Sequence, residues 1–194
     1  MAVVNSFPIV QIVGFQNSGK TTFIERVLKA APKECDIGCL KHHGHGGEPE
    51  PFSDGKDSER FSKAGAAVTA VEGDGVLQLT ARKKWDLAGL ISLYECLGID
   101  GLLIEGFKHA PHPKIIMIKD SEDWQKLKHL ERVIAVVSRN TEHMPADAGM
   151  PVFHADDPAA MMFVLSQLKR GICINGTFSN YKGTYHCRKY RKKS

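Results

Sequence analysis

The stretch Gly14-Phe-Gln-Asn-Ser-Gly-Lys-Thr21 constrains this chain more than any other. Two glycines separated by four residues and followed by lysine and threonine form the pattern of a phosphate-binding loop, provided that a strand precedes it and a helix follows. Both conditions are met. Ile9-Val-Gln-Ile-Val13 is a short apolar run between Pro8 and Gly14, which predicts a buried strand. Beyond Lys20 the apolar residues Phe23, Ile24, Val27, Leu28 and Ala31 recur at helical spacing until Pro32. Such a loop lets backbone N–H groups converge on phosphate oxygens at a helix N-terminus, where the helix dipole favours an anion. Gly14, Asn17, Ser18 and Gly19 are the predicted cradle. Lys20 is placed to reach the β- and γ-phosphates, and the Thr21 hydroxyl to ligate magnesium.

The remaining pattern alternates. Residues 37–40 read as a second strand, and 41–55, rich in His, Gly, Pro and acids, as a long loop without periodicity. A short helix is predicted over 57–65, two strands over 67–72 and 76–80 around Gly73-Asp-Gly75, and a helix over 87–97. Apolar runs at 101–104, 115–118 and 133–137 read as further strands, the last as the clearest buried one, and 157–168 as a helix capped by Asp156 or Asp157. Strands alternating with helices predict an α/β fold, P-loop NTPase-like, its mainly parallel sheet covered by helices on both faces. A chain of 194 residues suits one domain, taken as 1–170, with a tail at 171–194.

Charge divides along the same line. The six Lys or Arg residues after Gly171 have no accompanying acid and outnumber the whole chain's net charge of +4, so the body is slightly negative and the basic character belongs to the tail. Nucleic-acid binding would therefore have to reside in the tail, whose Tyr181, Tyr185 and Tyr190 are only a weak stacking signal; the main reading there is a solvated tail. The first residues lack a basic stretch ahead of an apolar one, and no apolar run approaches bilayer length, which predicts a cytoplasmic protein with no membrane partner. Five cysteines, an odd set without an export signal, predict reduced thiols.

Further site candidates follow from position. Glu105 lies at the carboxyl end of the 101–104 strand, the edge at which open α/β sheets bind ligands, and is the predicted acid for magnesium. The loop Lys41-His-His-Gly-His45 and the stretch Asp54-Gly-Lys-Asp-Ser58 follow the second strand, where such proteins place a segment sensing phosphate and metal. Asp54 or Asp57 is read there as holding a metal-bound water, and the histidines as part of an anion-binding loop, since their spacing is not that of a zinc site.

Gly14-Phe-Gln-Asn-Ser-Gly-Lys-Thr-Thr22, Lys41-His-His, Asp54-Gly-Lys-Asp-Ser58 with Ala64-Gly-Ala66, and Leu103-Ile-Glu-Gly-Phe-Lys108 leading into Pro113-Lys-Ile115 together resemble the molybdopterin-guanine dinucleotide biosynthesis adaptor family, MobB. The resemblance covers roughly residues 8–118 and implies GTP binding with weak hydrolysis, a homodimer, and assistance to the molybdenum-cofactor guanylyltransferase that attaches GMP to molybdopterin or its molybdenum form. It adds Thr22 to the nucleotide set, assigns Glu105 and Asp57 to the chemistry, and places His42, His43, Asp54, Lys56, Lys108 and Lys114 along the remaining anionic-ligand surface. Guanine preference is not read from a phosphate loop. The positional candidate is Asn140 in Ser138-Arg-Asn-Thr141, after the 133–137 strand on the ligand edge. An independent small-molecule kinase, with Asp57 and Arg60 in service, is the competing reading.

Overall fold

The computed structural model describes residues 8–43, 57–145, 148–168, 177–180 and 183–186. In chain order the elements are β1 (Ile9–Val13), α1 (Lys20–Ala30), β2 (Ile37–Lys41), α2 (Asp57–Lys63), β3 (Val68–Gly73), β4 (Val76–Ala81), α3 (Leu87–Cys96), β5 (Gly101–Glu105) and β6 (Lys114–Ile118). There follow α4 (Ser121–Leu127), β7 (Val133–Ser138), a 3₁₀ turn at Thr141–His143, β8 (Val152–His154), α5 (Pro158–Gln167), β9 (Thr177–Asn180) and β10 (Gly183–His186). The chain separates into two compact units, Met1–His42 with Tyr94–Ser194, and His43–Leu93. One boundary falls in the stretch read as a long loop and the other inside α3, between Leu93 and Tyr94.

In the first unit six parallel strands form one sheet in the order β2-β5-β1-β6-β7-β8. The strand order reverses at β1, so its carboxyl end opens onto the crevice where this architecture binds ligands. Strand side chains alternate between two helix layers. Val10, Ile12, Leu103, Ile115, Met117 and Val137 meet Phe23, Ile24 and Val27 of α1 and Ala160, Val164 and Leu165 of α5. On the opposite face Val13, Ile116, Ile118 and Val136 meet Trp124 and Leu127 of α4. The expected parallel sheet with helices on both faces is therefore the observed one.

The helices end where local chemistry requires. Ala31 turns extended ahead of Pro32, as the residue before a proline does. Asp157 caps α5 by accepting the Ala159 N–H at 2.8 Å, with Pro158 in the first turn. The sequence reading lacks α4, β8, the 3₁₀ turn and the β9–β10 hairpin, which lies in the stretch read as a solvated tail. Helix α4 is only seven residues long, too short to show a period, although Asp120 accepts the Asp123 N–H at 2.8 Å as an ordinary N-cap would. Strand β8 has three residues. Strands β1, β5 and β6 are buried throughout; β7 is buried from Ala135 onward, with Val133 and Ile134 half-buried. Their neighbour on that side is the short β8, which pairs only from Val136 onward.

In the second unit β3 and β4 form an antiparallel hairpin through Asp74-Gly75, both at positive φ, a two-residue turn that matches strand twist. Helix α2 packs on β3, and Arg82 Nε donates to Ser62 Oγ at 3.0 Å. Val68, Val76 and Leu77 of the hairpin are more than half exposed. Within the expected tail, β9 and β10 pair as a separate antiparallel hairpin. Among the described residues no helix is long and apolar enough to cross a membrane.

Leu103 is fully buried between β1 and β2 neighbours and faces α1. Leu103→Ala is expected to cost about 2–5 kcal/mol, read as a lower urea midpoint at unchanged m-value.

Candidate functional site

The loop after β1 is built by two steric demands. A Cβ on Gly14 would lie 2.5 Å from the Met117 carbonyl oxygen and 2.7 Å from Ser18 Oγ, so no side chain fits there. Gly19 stands at φ 88°, in the left-handed region, immediately before α1. Helix α1 then starts with no side-chain cap and no acid in its first turn. Helices usually satisfy their first N–H groups with a Ser, Thr, Asp or Asn side chain; here those donors and the positive dipole end are left for an anion.

The side chains around that opening carry opposite charges. Lys20 Nζ folds back to donate to the Phe15 carbonyl at 2.8 Å and lies 3.4 Å from Ser18 Oγ. Burial pushes the Lys20 pKa below its ordinary value; Glu105 works against that shift, and Lys41 and Lys108 add to it. The Thr21 hydroxyl donates to Glu105 Oε2 at 3.0 Å, and Lys41 Nζ lies 3.8 Å from Glu105 Oε1. Glu105 is only 9% exposed at the end of β5, in register with Ile12 of β1 and Lys41 of β2. A hydroxyl and a carboxylate brought together at a phosphate loop are the hard oxygen donors that magnesium takes, so the residues present fit that ion. Thr21 would hold it directly, and Glu105 directly or through water.

A buried amide fixes the position of Glu105. Gln11, fully buried in β1, donates through Nε2 to the carbonyls of Gly106 at 3.0 Å and Phe107 at 2.8 Å. Both acceptors stand at positive φ, so this side chain holds a bent segment directly after the acid. His42 N–H donates to the Glu105 carbonyl at 2.9 Å, and the His42 and Phe107 rings sit 4.3 Å apart. Lys108 Nζ is 5.0 Å from the centre of the Phe15 ring. Gln11 went unnoticed in the sequence; its signal was a lone polar residue inside the apolar run of β1.

The predicted residues separate accordingly. Gly14, Asn17, Ser18, Gly19, Lys20, Thr21, Thr22, His42, Glu105 and Lys108 belong to the first unit at the carboxyl edge of its sheet. His43 and Asp57 belong to the second unit, where Asp57 is exposed and pairs with Arg60 at 3.2 Å. Asp54 and Lys56 lie outside the described residues. Two assignments change. Lys114 begins β6 and so lies at the amino edge, opposite the phosphate loop; it is 1% exposed and donates to the carbonyls of Ala110, His112 and Glu131 at 2.9, 3.2 and 2.7 Å. Its charge is spent on backbone. Asn140 is likewise occupied, since its side chain accepts the Glu142 N–H at 3.0 Å and caps the 3₁₀ turn.

Its neighbour Arg139 does face the loop. The Arg139 Cδ lies 3.0 Å from where a Gly19 Cβ would stand, and Arg139, Met117, Phe23, Thr22, Arg26 and Asp156 line a cavity of about 250 Å³ beside Gly19. Arg26 forms an ion pair with Asp156 Oδ1 and also donates to the Ala155 carbonyl. The Arg26 contact, with weaker help from His154 and Arg139, holds the Asp156 carboxyl below the usual carboxylate range.

The family model described as molybdopterin guanine dinucleotide synthesis protein B matches residues 9–139. A protein of Bacillus subtilis strain 168, named as a probable molybdopterin-guanine dinucleotide biosynthesis adapter protein, is 62% identical over 170 residues, covering 87% of this chain and 98% of that one. A crystal structure of Bacillus subtilis MobB superimposes with a TM-score of 0.75 at 61% identity, covering 84% of this chain and 99% of that one. A MobB homologue from Bacillus stearothermophilus gives 0.66 at 34% identity, covering 83% and 97%.

Gln11→Leu keeps the size of the buried side chain but takes the donor from the Gly106 carbonyl, while the Phe107 carbonyl keeps the Ala110 N–H at 2.8 Å. The one acceptor left without its donor is expected to cost about 1–3 kcal/mol, measured by urea unfolding.

Proposed function

The chain belongs to the molybdopterin guanine dinucleotide synthesis protein B family, and from that premise we propose that this adapter of molybdopterin-guanine dinucleotide biosynthesis binds GTP with magnesium, forms a homodimer and assists a cytoplasmic guanylyltransferase. The partner enzyme is the one that attaches GMP to molybdopterin or its molybdenum form. The observation that carries the nucleotide reading is the Thr21–Glu105 contact at the mouth of an uncapped helix, ringed by Lys20, Lys41 and Lys108.

Each group has a physical task in this reading. Lys20 exchanges the neutral Phe15 carbonyl for phosphate oxygens, a contact between opposite charges that is stronger than the ammonium–carbonyl bond it replaces. Thr21 and Glu105 hold magnesium, which when bound neutralises charge on the phosphates. Lys41, through its ammonium, and His42, through its backbone N–H, both touch Glu105 and help to hold it in place. Hydrolysis is slow. The described cations closest to Thr21 and Glu105 are lysines, while Arg139 stands on the Gly19 side of the loop, away from the end where a transferred phosphoryl group would need a guanidinium.

The homodimer reading draws support from the second unit, whose hairpin leaves Val68, Val71, Val76, Leu77 and Leu79 exposed. By register Val68, Leu77 and Leu79 share one face of the hairpin and Val71 and Val76 the other, and exposed apolar side chains grouped on a face mark an interaction surface more often than a solvated one.

Calorimetry with magnesium should show GTP bound in preference to ATP, and Lys20→Ala should weaken GTP by roughly 100-fold or more without lowering the thermal midpoint. Preference for ATP would favour a small-molecule kinase instead. Sedimentation should give a dimer that Leu77→Asp with Leu79→Asp converts to monomer; a dimer that survives both charges would place the interface elsewhere.

A further inference from the structure

The proposed reading leaves open what recognises the nucleoside, since the phosphate loop reads only phosphates. We propose that the cavity beside Gly19 is the base pocket, that Arg139 lies along the base plane, and that the Asp156 carboxylate accepts hydrogen bonds from the ring N–H and exocyclic amine of guanine. This inference rests on the nucleotide reading and deepens it.

Placement comes first. Glu105 ends β5 on one side of β1, and Arg139 follows β7 on the other, two strands away. The two residues are thus three strand spacings apart, about 14 Å along the ligand edge. A ligand whose phosphates lie at Lys20 and Thr21 reaches the Arg139 side with its far end. The cavity there, about 250 Å³, falls just short of the ~300–1,000 Å³ typical of sites that enclose a whole drug-sized ligand, a size suited to a flat heterocycle.

Chemistry comes second. Met117 and Phe23 supply apolar wall, and Arg139 supplies a planar cation of the kind that stacks on bases. Asp156 is 64% exposed at the cavity rim with Arg26 on its Oδ1, which fixes the carboxylate and leaves acceptor sites on both oxygens for a ligand's donors. Guanine presents two adjacent donors on that edge; adenine presents a ring acceptor there and is refused.

His154 holds the two walls together. The Asp156 N–H donates to His154 Nδ1 at 3.2 Å, which leaves the imidazole proton on Nε2, donated to the Arg139 carbonyl at 3.0 Å. The Ala155 N–H also donates to the Ser138 carbonyl at 2.8 Å. The ends of β7 and β8 are therefore locked to each other at the residues that would grip the base.

The test is calorimetry on the full-length protein with magnesium, using GTP, ATP, XTP and inorganic tripolyphosphate. Xanthine keeps the ring N–H of guanine but carries a carbonyl in place of the amine, so a carboxamide matches it where a carboxylate does not. Wild type should prefer GTP to XTP by roughly 10-fold or more, and Asp156→Asn should invert that order while leaving tripolyphosphate affinity unchanged. Arg139→Ala should weaken GTP and ATP alike by roughly 10-fold and spare tripolyphosphate. An Asp156→Asn protein that keeps the wild-type order overturns the base pocket and leaves the phosphate site standing. If wild type binds neither GTP nor tripolyphosphate in a Lys20-dependent way, the nucleotide reading itself falls, and the pocket with it.

Discussion

The approach of Gly14 to the Met117 carbonyl is the constraint on which the site depends. Strand β1 lies between β5 and β6 with its backbone bonded on both sides, so its last residue cannot move relative to the strand ends around it. The chain must leave this fixed end, pass so near the Met117 carbonyl that a Cβ on Gly14 would lie 2.5 Å from its oxygen, and enter α1 through a left-handed residue. Only then do the first N–H groups of the helix point outward without a capping side chain. The core formed by Ile12, Phe23, Ile24 and Val27 holds that geometry against the cost of leaving backbone donors unsatisfied.

Electrostatics around the loop follow from this rigidity. Glu105 is nearly buried, and a buried carboxylate needs charge or hydrogen bonds nearby. It has Thr21 at 3.0 Å and the Lys41 ammonium at 3.8 Å. Lys20 meanwhile caps the Phe15 carbonyl of its own loop. Each charged group is thus held in place by a partner, and under the proposed reading a phosphate or a magnesium ion would replace that partner at little cost in reorganisation. Gln11 extends the same logic into the sheet, because a single buried amide sets the bend that aims Glu105.

Much of this was legible in the sequence because the informative signals were local. The order strand, glycine loop and helix rests on periodicity and two glycines, and Glu105 on the rule that ligands bind at carboxyl strand ends. What was missed depends on neighbours distant in sequence. Lys114 resembles any lysine beside a ligand site until strand polarity puts it at the amino edge, among the Ala110, His112 and Glu131 carbonyls. Asn140 stands at the right edge, but local capping claims its side chain, a common fate of asparagine at a turn. Arg139 and Asp156 are brought together only by the parallel pairing of β7 with β8, a strand of three residues too short to show a period. The second unit's boundaries carry no local signal either, since one falls in the unperiodic 41–55 stretch and the other within the continuous helical pattern of α3.

The distribution of positive charge along the sheet edge bears on why such a site would serve an adapter. Phosphoryl transfer needs cations preorganised where charge develops, at the end of the phosphate chain. In the first unit that end is met by Lys20, Lys41 and Lys108, point charges on flexible stems, and the planar guanidinium stands beyond Gly19 on the other side of β1. Under the proposed assignment, the rigid, direction-sensitive cation is committed to the nucleoside and the compliant ones to the phosphates. A site arranged this way discriminates between bases more strongly than it stabilises a transition state. Under that assignment it suits a protein that would hold a guanine nucleotide for a partner rather than turn it over.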